Sequence, residues 1–283
     1  MRIFEPQVKS LIYAALNEDI KGGDITTDAI TLKNDPVIQC EVTAKNDSVV
    51  CGLHIFSMVF DIISKNNYKI DFLSSEGYKA VKSQRIISLK AKASDILYGE
   101  RTALNFLQHL SGIATISNIA SKELRGLKTK ILDTRKTIPG LRILQKYAVK
   151  TGGGENHRFD LSSGILIKDN HIKLAGGIKN AMKAVKKHYS GLNFKIEIET
   201  STLEEVKDAV EAKADVIMLD NMDIKTMKKA VKIIDRKAIT EASGNITMDK
   251  LRKTAEETGV DYISMGSLTN TVIPADFSLN FIK

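Results

Sequence analysis

The stretch 131-ILDTRKTIPGLRILQKYAVKTGGGENHRFDLSSGILIKDNH-171 decides how the chain is read. Two short apolar runs, Ile131-Leu132 and Ile165-Leu166-Ile167, stop abruptly at charge, the first at Asp133-Thr134-Arg135-Lys136 and the second at Lys168-Asp169-Asn170-His171. Short apolar runs bounded in this way read as buried strands. Between them a triple glycine, Gly152-Gly153-Gly154, precedes the pair His157-Arg158. Cations at strand ends beside a glycine run suit a pocket for a small, multiply negative ligand, since exposed backbone N–H groups and side-chain cations favour the same charge. An ordinary helix stop after Lys150 would also account for the glycines.

The pattern recurs downstream. Apolar runs at Phe194–Ile198, Val216–Leu219, Ala238–Ile239 and Tyr262–Met265 alternate with helical patterns at Ile178–His188, Leu203–Glu211, Met227–Ile234 and Leu251–Glu257. Thr202 and Glu205 have the spacing of a capping box, and Gly259 fits a helix C-terminus. Alternating strand and helix at this period predicts a parallel sheet, either a barrel or an open doubly wound sheet. The strand ends separate the two. Glu199-Thr200, Asp220-Asn221, Glu241-Ala242-Ser243-Gly244 and Ser264-Met265-Gly266 extend the rule that each strand delivers a polar, charged or glycine residue at its C-terminal end. Those ends converge on one mouth in a barrel, whereas in an open sheet only strands at the switch point contribute. Six strands rather than eight are visible, so an incomplete barrel is expected.

The first part of the chain reads differently. Phe4 to Leu16 has helical spacing, Asp19 to Thr27 is a polar glycine loop, Val37 to Ala44 is a strand, and Leu53 to Ser64 a helix. Tyr68–Leu73 and Ile86–Ala93 are further strands, which makes a small sheet with helices on it. From Asp95 a long helical pattern follows, weakened at Gly99 and Gly112, where it is expected to split. Glu100-Arg101 within it reads either as a surface ion pair or as an arginine aimed at an anion.

Composition is that of a globular enzyme: 43% apolar, 27% charged, no tryptophan. No apolar run approaches the roughly 18–20 residues of a membrane span, and the N-terminus lacks the apolar core of a signal peptide. Cys40 and Cys51 have no metal-type spacing, and a reducing cytoplasm is the expected setting. The net charge of +8 comes largely from lysines scattered over helical patterns without interleaved aromatics, so nucleic-acid binding is a weak reading. His54, His109 and His188 read as surface or packing residues.

At the strand ends the cations Arg135, Lys136, Arg158 and Lys168 could hold carboxylates or a pyrophosphate. The carboxylates Glu199 and Asp220 could hold ribose hydroxyls or Mg²⁺, or merely cap the following helices. Ser243-Gly244-Asn245 and Ser264-Met265-Gly266 are small loops of the kind that receive a phosphate monoester.

A set of motifs in fixed order resembles the quinolinate phosphoribosyltransferase family over nearly the whole chain. They are GGDITT from Gly22, GERTALNFLQHLSGIAT from Gly99, LDTRKTIPGLR from Leu132, KYAVKTGGGENHR from Lys146, ILIKDNHI from Ile165, IMLDNM from Ile217, EASGNIT from Glu241 and GVDYISMGSLT from Gly259. The resemblance implies an α/β fold. An N-terminal α/β sandwich domain covers residues 1–110, joined by the tail 270–283, and an incomplete (β/α) TIM-like barrel covers residues 111–269. It implies phosphoribosyl transfer from phosphoribosyl pyrophosphate to quinolinate with decarboxylation, in NAD biosynthesis, with Mg²⁺ as cofactor. It also implies a homodimer, with dimer or hexamer left open as the final assembly, in which Arg101 reaches the partner subunit's site. By motif, Thr134, Arg135, His157, Arg158 and Lys168 would bind the quinolinate carboxylates, and Lys136 would lie between the substrates near the pyrophosphate. Glu199 and Asp220 would meet the ribose and the Mg²⁺ complex. Ser243, Gly244, Asn245, Ser264, Met265 and Gly266 would hold the 5′-phosphate. Lys136, Lys168, Glu199 and Asp220 are the candidate catalytic residues. Asn245 stands where the motif commonly has glycine; asparagine tolerates left-handed backbone, so the loop is expected to survive.

Overall fold

The protein is described from a computed structural model that covers residues 5–191 and 194–282. Phe4, the expected first residue of the first helix, lies outside the described residues. The elements run α1 (Glu5–Ile20), α2 (Ile25–Thr31), β1 (Val37–Ala44), β2 (Ser48–Val49), α3 (Leu53–Ile63), β3 (Lys69–Phe72), β4 (Lys79–Ala80), β5 (Arg85–Lys92) and α4 (Ala93–Glu123). They continue as β6 (Lys130–Leu132), α5 (Arg142–Thr151), β7 (Ile165–Ile167), α6 (Asp169–Ala175), α7 (Ile178–His188), β8 (Ile196–Thr200), α8 (Leu203–Glu211), β9 (Val216–Asp220) and α9 (Ile224–Ile234). The last are β10 (Ile239–Ser243), α10 (Met248–Thr258), β11 (Tyr262–Ser264), α11 (Ser267–Asn270) and β12 (Phe277–Phe281).

The chain divides into two compact units: Met1–Asn118 with Thr137–Gly153 and Ser267–Lys283, and Ile119–Lys136 with Gly154–Gly266. Residues 137–153, counted with the barrel in the sequence reading, fall in the first unit. Its main sheet has the order β12-β1-β5-β3, all antiparallel. The tail strand β12 adds to the edge of β1, pairing Val42 with Leu279. Cys40 and Val42 on β1, Ile87 and Leu89 on β5, and Phe56 and Phe60 on α3 are fully or almost fully buried in this unit.

Two features differ from the expectation. The polar stretch before Thr27 is not all loop: Asp24 caps α2 by accepting the N–H groups of Thr26 and Thr27 at 3.0 and 3.1 Å. The long helical pattern does not split, and α4 is one helix of 31 residues. Its glycines serve close packing instead. A Cβ on Gly99 would lie 2.8 Å from the Phe60 ring, and one on Gly112 would lie 2.3 Å from the Ile273 carbonyl oxygen. Gly152, the cap of α5 expected as a helix stop, has the same need, since a Cβ there would sit 2.3 Å from the Ala114 carbonyl oxygen.

The second unit holds a six-stranded sheet in the order β6-β11-β10-β9-β8-β7, parallel throughout. This is the cyclic order of a barrel opened between its first two strands. Among the described residues β6 and β7 do not pair. The backbone at Glu155 pairs with the open edge of β6 instead: Glu155 N–H donates to Ile131 O at 2.8 Å, and Asp133 N–H to Glu155 O at 3.1 Å. Helices α7 and α8 occupy the predicted spans, and the Thr202–Glu205 capping box is formed.

Replacing Gly112 by alanine tests the packing explanation. The new methyl meets backbone rather than a movable side chain, so Gly112→Ala is expected to cost about 1–3 kcal/mol despite alanine's higher helix propensity. A midpoint of unfolding that rises would contradict it.

Candidate active site

Parallel strands covered by helices usually read as continuous apolar runs. Here one pleat phase breaks that rule towards the C-terminal ends. Glu197 and Glu199 on β8, Met218 and Asp220 on β9, Glu241 and Ser243 on β10, and Ser264 on β11 alternate with the buried Ile198, Leu219, Ala242 and Ile263. The strand register sets Glu199, Met218 and Glu241 side by side. The opposite pleat phase packs under the helices, so this phase faces a cavity of about 420 Å³.

Most of the sequence-predicted residues meet there. Thr134, Arg135, Lys136, His157, Arg158 and Lys168 line the cavity. So do Glu199, Asp220, Ser243, Gly244, Asn245 and Ser264. Met265 and Gly266 do not line it. The Met265 side chain is buried, and its N–H donates to Leu132 O at 3.0 Å, tying β11 to β6. Arg101 is exposed on α4 and is not among the lining residues.

Each group is held by its own local structure. The Glu155 pairing carries the chain back to the mouth, where His157 N–H donates to the fully buried Asp133 carboxylate at 2.9 Å. Arg158 follows, one guanidinium N–H donating to Gly164 O at 2.9 Å. Burial and the neighbouring Arg135 push the Arg158 pKa below its ordinary value. Lys168 Nζ lies 3.9 Å from Glu199. Burial, and then the nearby Asp220 carboxylate, raise the Glu199 carboxyl above its usual range, with Lys168 opposing. Thr202 and Asp223 cap α8 and α9, so Glu199 and Asp220 do not serve as helix caps.

The phosphate-type loop keeps its shape with Asn245 in it. Asn245 sits at φ +52, and its side-chain amide donates to Asn221 Oδ1 at 3.0 Å. Asn221, itself at φ +55, donates in turn to Asp220 Oδ2 at 2.7 Å. Gly244 admits no side chain, since a Cβ would lie 2.3 Å from Asn221 Oδ1.

Two lining or underlying groups were absent from the sequence-predicted set: Glu197 and Glu241. Both have a legible signal, a charged residue in the middle of a strand that should be apolar. His109, read as a surface or packing residue, is partly buried, and its Nε2 lies 3.0 Å from the Gln145 side-chain nitrogen.

Fold and cavity together define an incomplete α/β-barrel protein whose mouth gathers cations and carboxylates around one cavity. Comparison with known proteins agrees. Residues 24–111 match the family model described as quinolinate phosphoribosyl transferase, N-terminal domain, and residues 113–280 match the model of its C-terminal domain. A probable nicotinate-nucleotide pyrophosphorylase [carboxylating] of Bacillus subtilis is 40% identical over 274 residues, 97% of this chain and 93% of that protein. Its counterpart in Methanocaldococcus jannaschii is 39% identical over 96% of both chains. The solved structure of the nicotinate-nucleotide pyrophosphorylase from Francisella tularensis superposes with a TM-score of 0.93, at 42% identity, over 98% of this chain and 96% of that one. The chain belongs to the quinolinate phosphoribosyltransferase family.

The left-handed backbone at Asn245 gives a direct check on the loop. Asn245→Val forces a β-branched residue to positive φ and is expected to cost about 1–3 kcal/mol of stability. Asn245→Gly should stay close to wild type in thermal unfolding, and equal losses in both variants would contradict the assignment.

Proposed function

We propose that the chain transfers the phosphoribosyl group of phosphoribosyl pyrophosphate to quinolinate and decarboxylates the adduct, releasing nicotinate mononucleotide, pyrophosphate and CO₂. The observation that carries this reading is the segregation of charge around one cavity. Arg135, Arg158 and Lys168 face it from β6, the Glu155 segment and β7, and Glu199 and Asp220 from β8 and β9. Such a site suits one reactant with two adjacent carboxylates and another with a sugar between phosphates.

Arg135, Arg158 and Lys168 grip the two carboxylates through charge-assisted hydrogen bonds, with Thr134 and His157 beside them. The grip sets the ring nitrogen facing the anomeric carbon. Ser243, Gly244, Asn245 and Ser264 receive the 5′-phosphate, and Lys136 lies against the pyrophosphate. As the bond from the ring nitrogen to the anomeric carbon forms and the bond to pyrophosphate breaks, positive charge builds on the sugar. Glu199 and Asp220 stabilise that charge. The ring nitrogen, now a cation, stabilises the electron pair left on the adjacent ring carbon when its carboxylate departs as CO₂, and a proton then bonds to that carbon. Glu199 and Asp220 are hard oxygen donors close enough that Asp220 raises the Glu199 pKa, so they would hold Mg²⁺, whose charge would relieve that repulsion. When bound with pyrophosphate, the ion neutralises charge on the leaving group. The buried, unpaired Cys40 and Cys51 suit a reducing cytoplasm, and among the described residues no helix is long and apolar enough to cross a membrane.

Arg101, exposed on α4, is proposed to complete the site of a second copy in a homodimer. Arg101→Ala should then inactivate its own chain yet regain partial activity when mixed with Lys168→Ala chains; mixtures no more active than the separate variants would refute the shared site.

Incubation with quinolinate, phosphoribosyl pyrophosphate and Mg²⁺ should yield CO₂ and nicotinate mononucleotide, and no product at high protein concentration would overturn the reading. Lys168→Ala should lower kcat/KM at least tenfold, roughly 1.4 kcal/mol in transition-state binding. Turnover near wild type would remove Lys168 from the site.

A further inference from the structure

A buried cluster lies under the cation side of the cavity. The His157 side chain is 11% exposed and its Nε2 faces two carboxylates, Glu197 Oε2 at 3.0 Å and Glu241 Oε2 at 3.7 Å. Those side chains are 10% and 2% exposed. The other ring nitrogen, Nδ1, accepts the Arg158 backbone N–H at 2.7 Å. The second carboxylate oxygens, Glu197 Oε1 and Glu241 Oε1, are buried and have no hydrogen-bond partner among the described residues.

The direction of the Arg158 bond fixes the imidazole. A nitrogen that accepts an N–H carries no proton, so in the neutral ring the proton sits on Nε2 and is donated to Glu197. The same bond argues against a metal ion in this His-Glu-Glu group. A metal on Nε2 would drive the ring proton to Nδ1, where the Arg158 N–H already points.

We propose that Glu197 and Glu241 are positioning residues that hold the His157 imidazole with its proton on Nε2, the ring nitrogen that faces their carboxylates. His157 then acts on the acceptor through its neighbour, by fixing the backbone from which the Arg158 guanidinium reaches a carboxylate. This rests on the reading of Arg158 as part of the quinolinate clamp, and it replaces direct contact as the role of His157. Burial and the adjoining Glu197 hold the Glu241 carboxyl well above the usual carboxylate range. A protonated Glu241 leaves less negative charge beneath an anionic ligand, and its O–H can be donated to Glu197. The bonds at the two ring nitrogens, Nε2 to Glu197 and Nδ1 from the Arg158 N–H, fix the orientation of the imidazole from both sides.

The test uses the whole protein labelled with ¹⁵N. The side-chain signals of His157, one of five histidines, are assigned by comparison with His157→Asn. The free protein should show the Nε2–H tautomer at His157, and saturation with quinolinate should leave it there. Glu197→Ala and Glu241→Ala should disturb that signal and raise the KM for quinolinate about tenfold or more, with the KM for phosphoribosyl pyrophosphate little changed. Glu241→Gln, neutral and of the same shape, should recover most of what Glu241→Ala loses. A quinolinate-induced shift of the proton to Nδ1, or protonation of both nitrogens, would show direct contact and overturn the proposal. So would alanine variants that leave signal and KM unchanged. If neither alanine variant folds, the ligand titration of the wild type still decides. If calorimetry shows no quinolinate binding to the wild type, the substrate reading falls, while an Nε2–H tautomer lost in Glu197→Ala would still support the clamp on His157.

Discussion

The open edge of β6 is the constraint from which the site follows. Among the described residues the six-stranded parallel sheet does not close between β6 and β7, and the free edge of β6 carries backbone groups that would be costly to bury unpaired. The chain answers with the bonds from Glu155 to Ile131 and Asp133, a piece of strand one pair long. That pairing returns the backbone to the strand ends after the excursion through α5. His157 and Arg158 therefore arrive at the mouth beside Arg135 and Lys136, from positions some twenty residues apart in sequence. Asp133, fully buried, fixes the turn by accepting the His157 N–H.

The opposite wall is built by the pleat. Side chains alternate across a strand, so Glu197 and Glu199 on β8, Asp220 on β9 and Glu241 and Ser243 on β10 share one face, while the buried Ile198, Leu219 and Ala242 point to the other. This is why Glu199 and Asp220 sit close enough for one to raise the pKa of the other without disturbing the core behind them. Three neighbours temper the repulsion: Lys168 at 3.9 Å from Glu199, and the amide chain in which Asn245 donates to Asn221 and Asn221 to Asp220.

Much of this was legible in the sequence. The barrel helices announce themselves by period and caps, because a helix needs its ends satisfied locally and the residues that do so lie in register with it. Strand ends were legible because charge interrupts the apolar runs. What escaped reading depends on contacts distant in sequence. Gly99 and Gly112 look like helix breaks, and only the approach of Phe60 and Ile273 reveals them as packing positions. The strand β12 has no local partner and exists because the edge of β1 is available. Glu197 lies inside its apolar run rather than at its end, so a search for strand-end charge passes over it, and Glu241, counted with a strand end, sits mid-strand in β10 because that strand runs on to Ser243. Met265 and Gly266 sit in the right motif, yet the Met265 N–H is already committed to Leu132.

The two walls are rigid for different reasons, and the difference bears on catalysis. The cation wall is fixed by backbone pairing and by a buried imidazole between two carboxylates, none of which needs the ligand to be present. The carboxylate wall is fixed by left-handed asparagines whose side chains bond to each other. Charges held apart before a reactant arrives need little reorganisation as charge develops, and that is where a low-dielectric site gains most over water. In the proposed reaction such a site would stabilise separated charge, positive at the sugar and negative at its leaving group. It would do so without asking any protein side chain to form a bond.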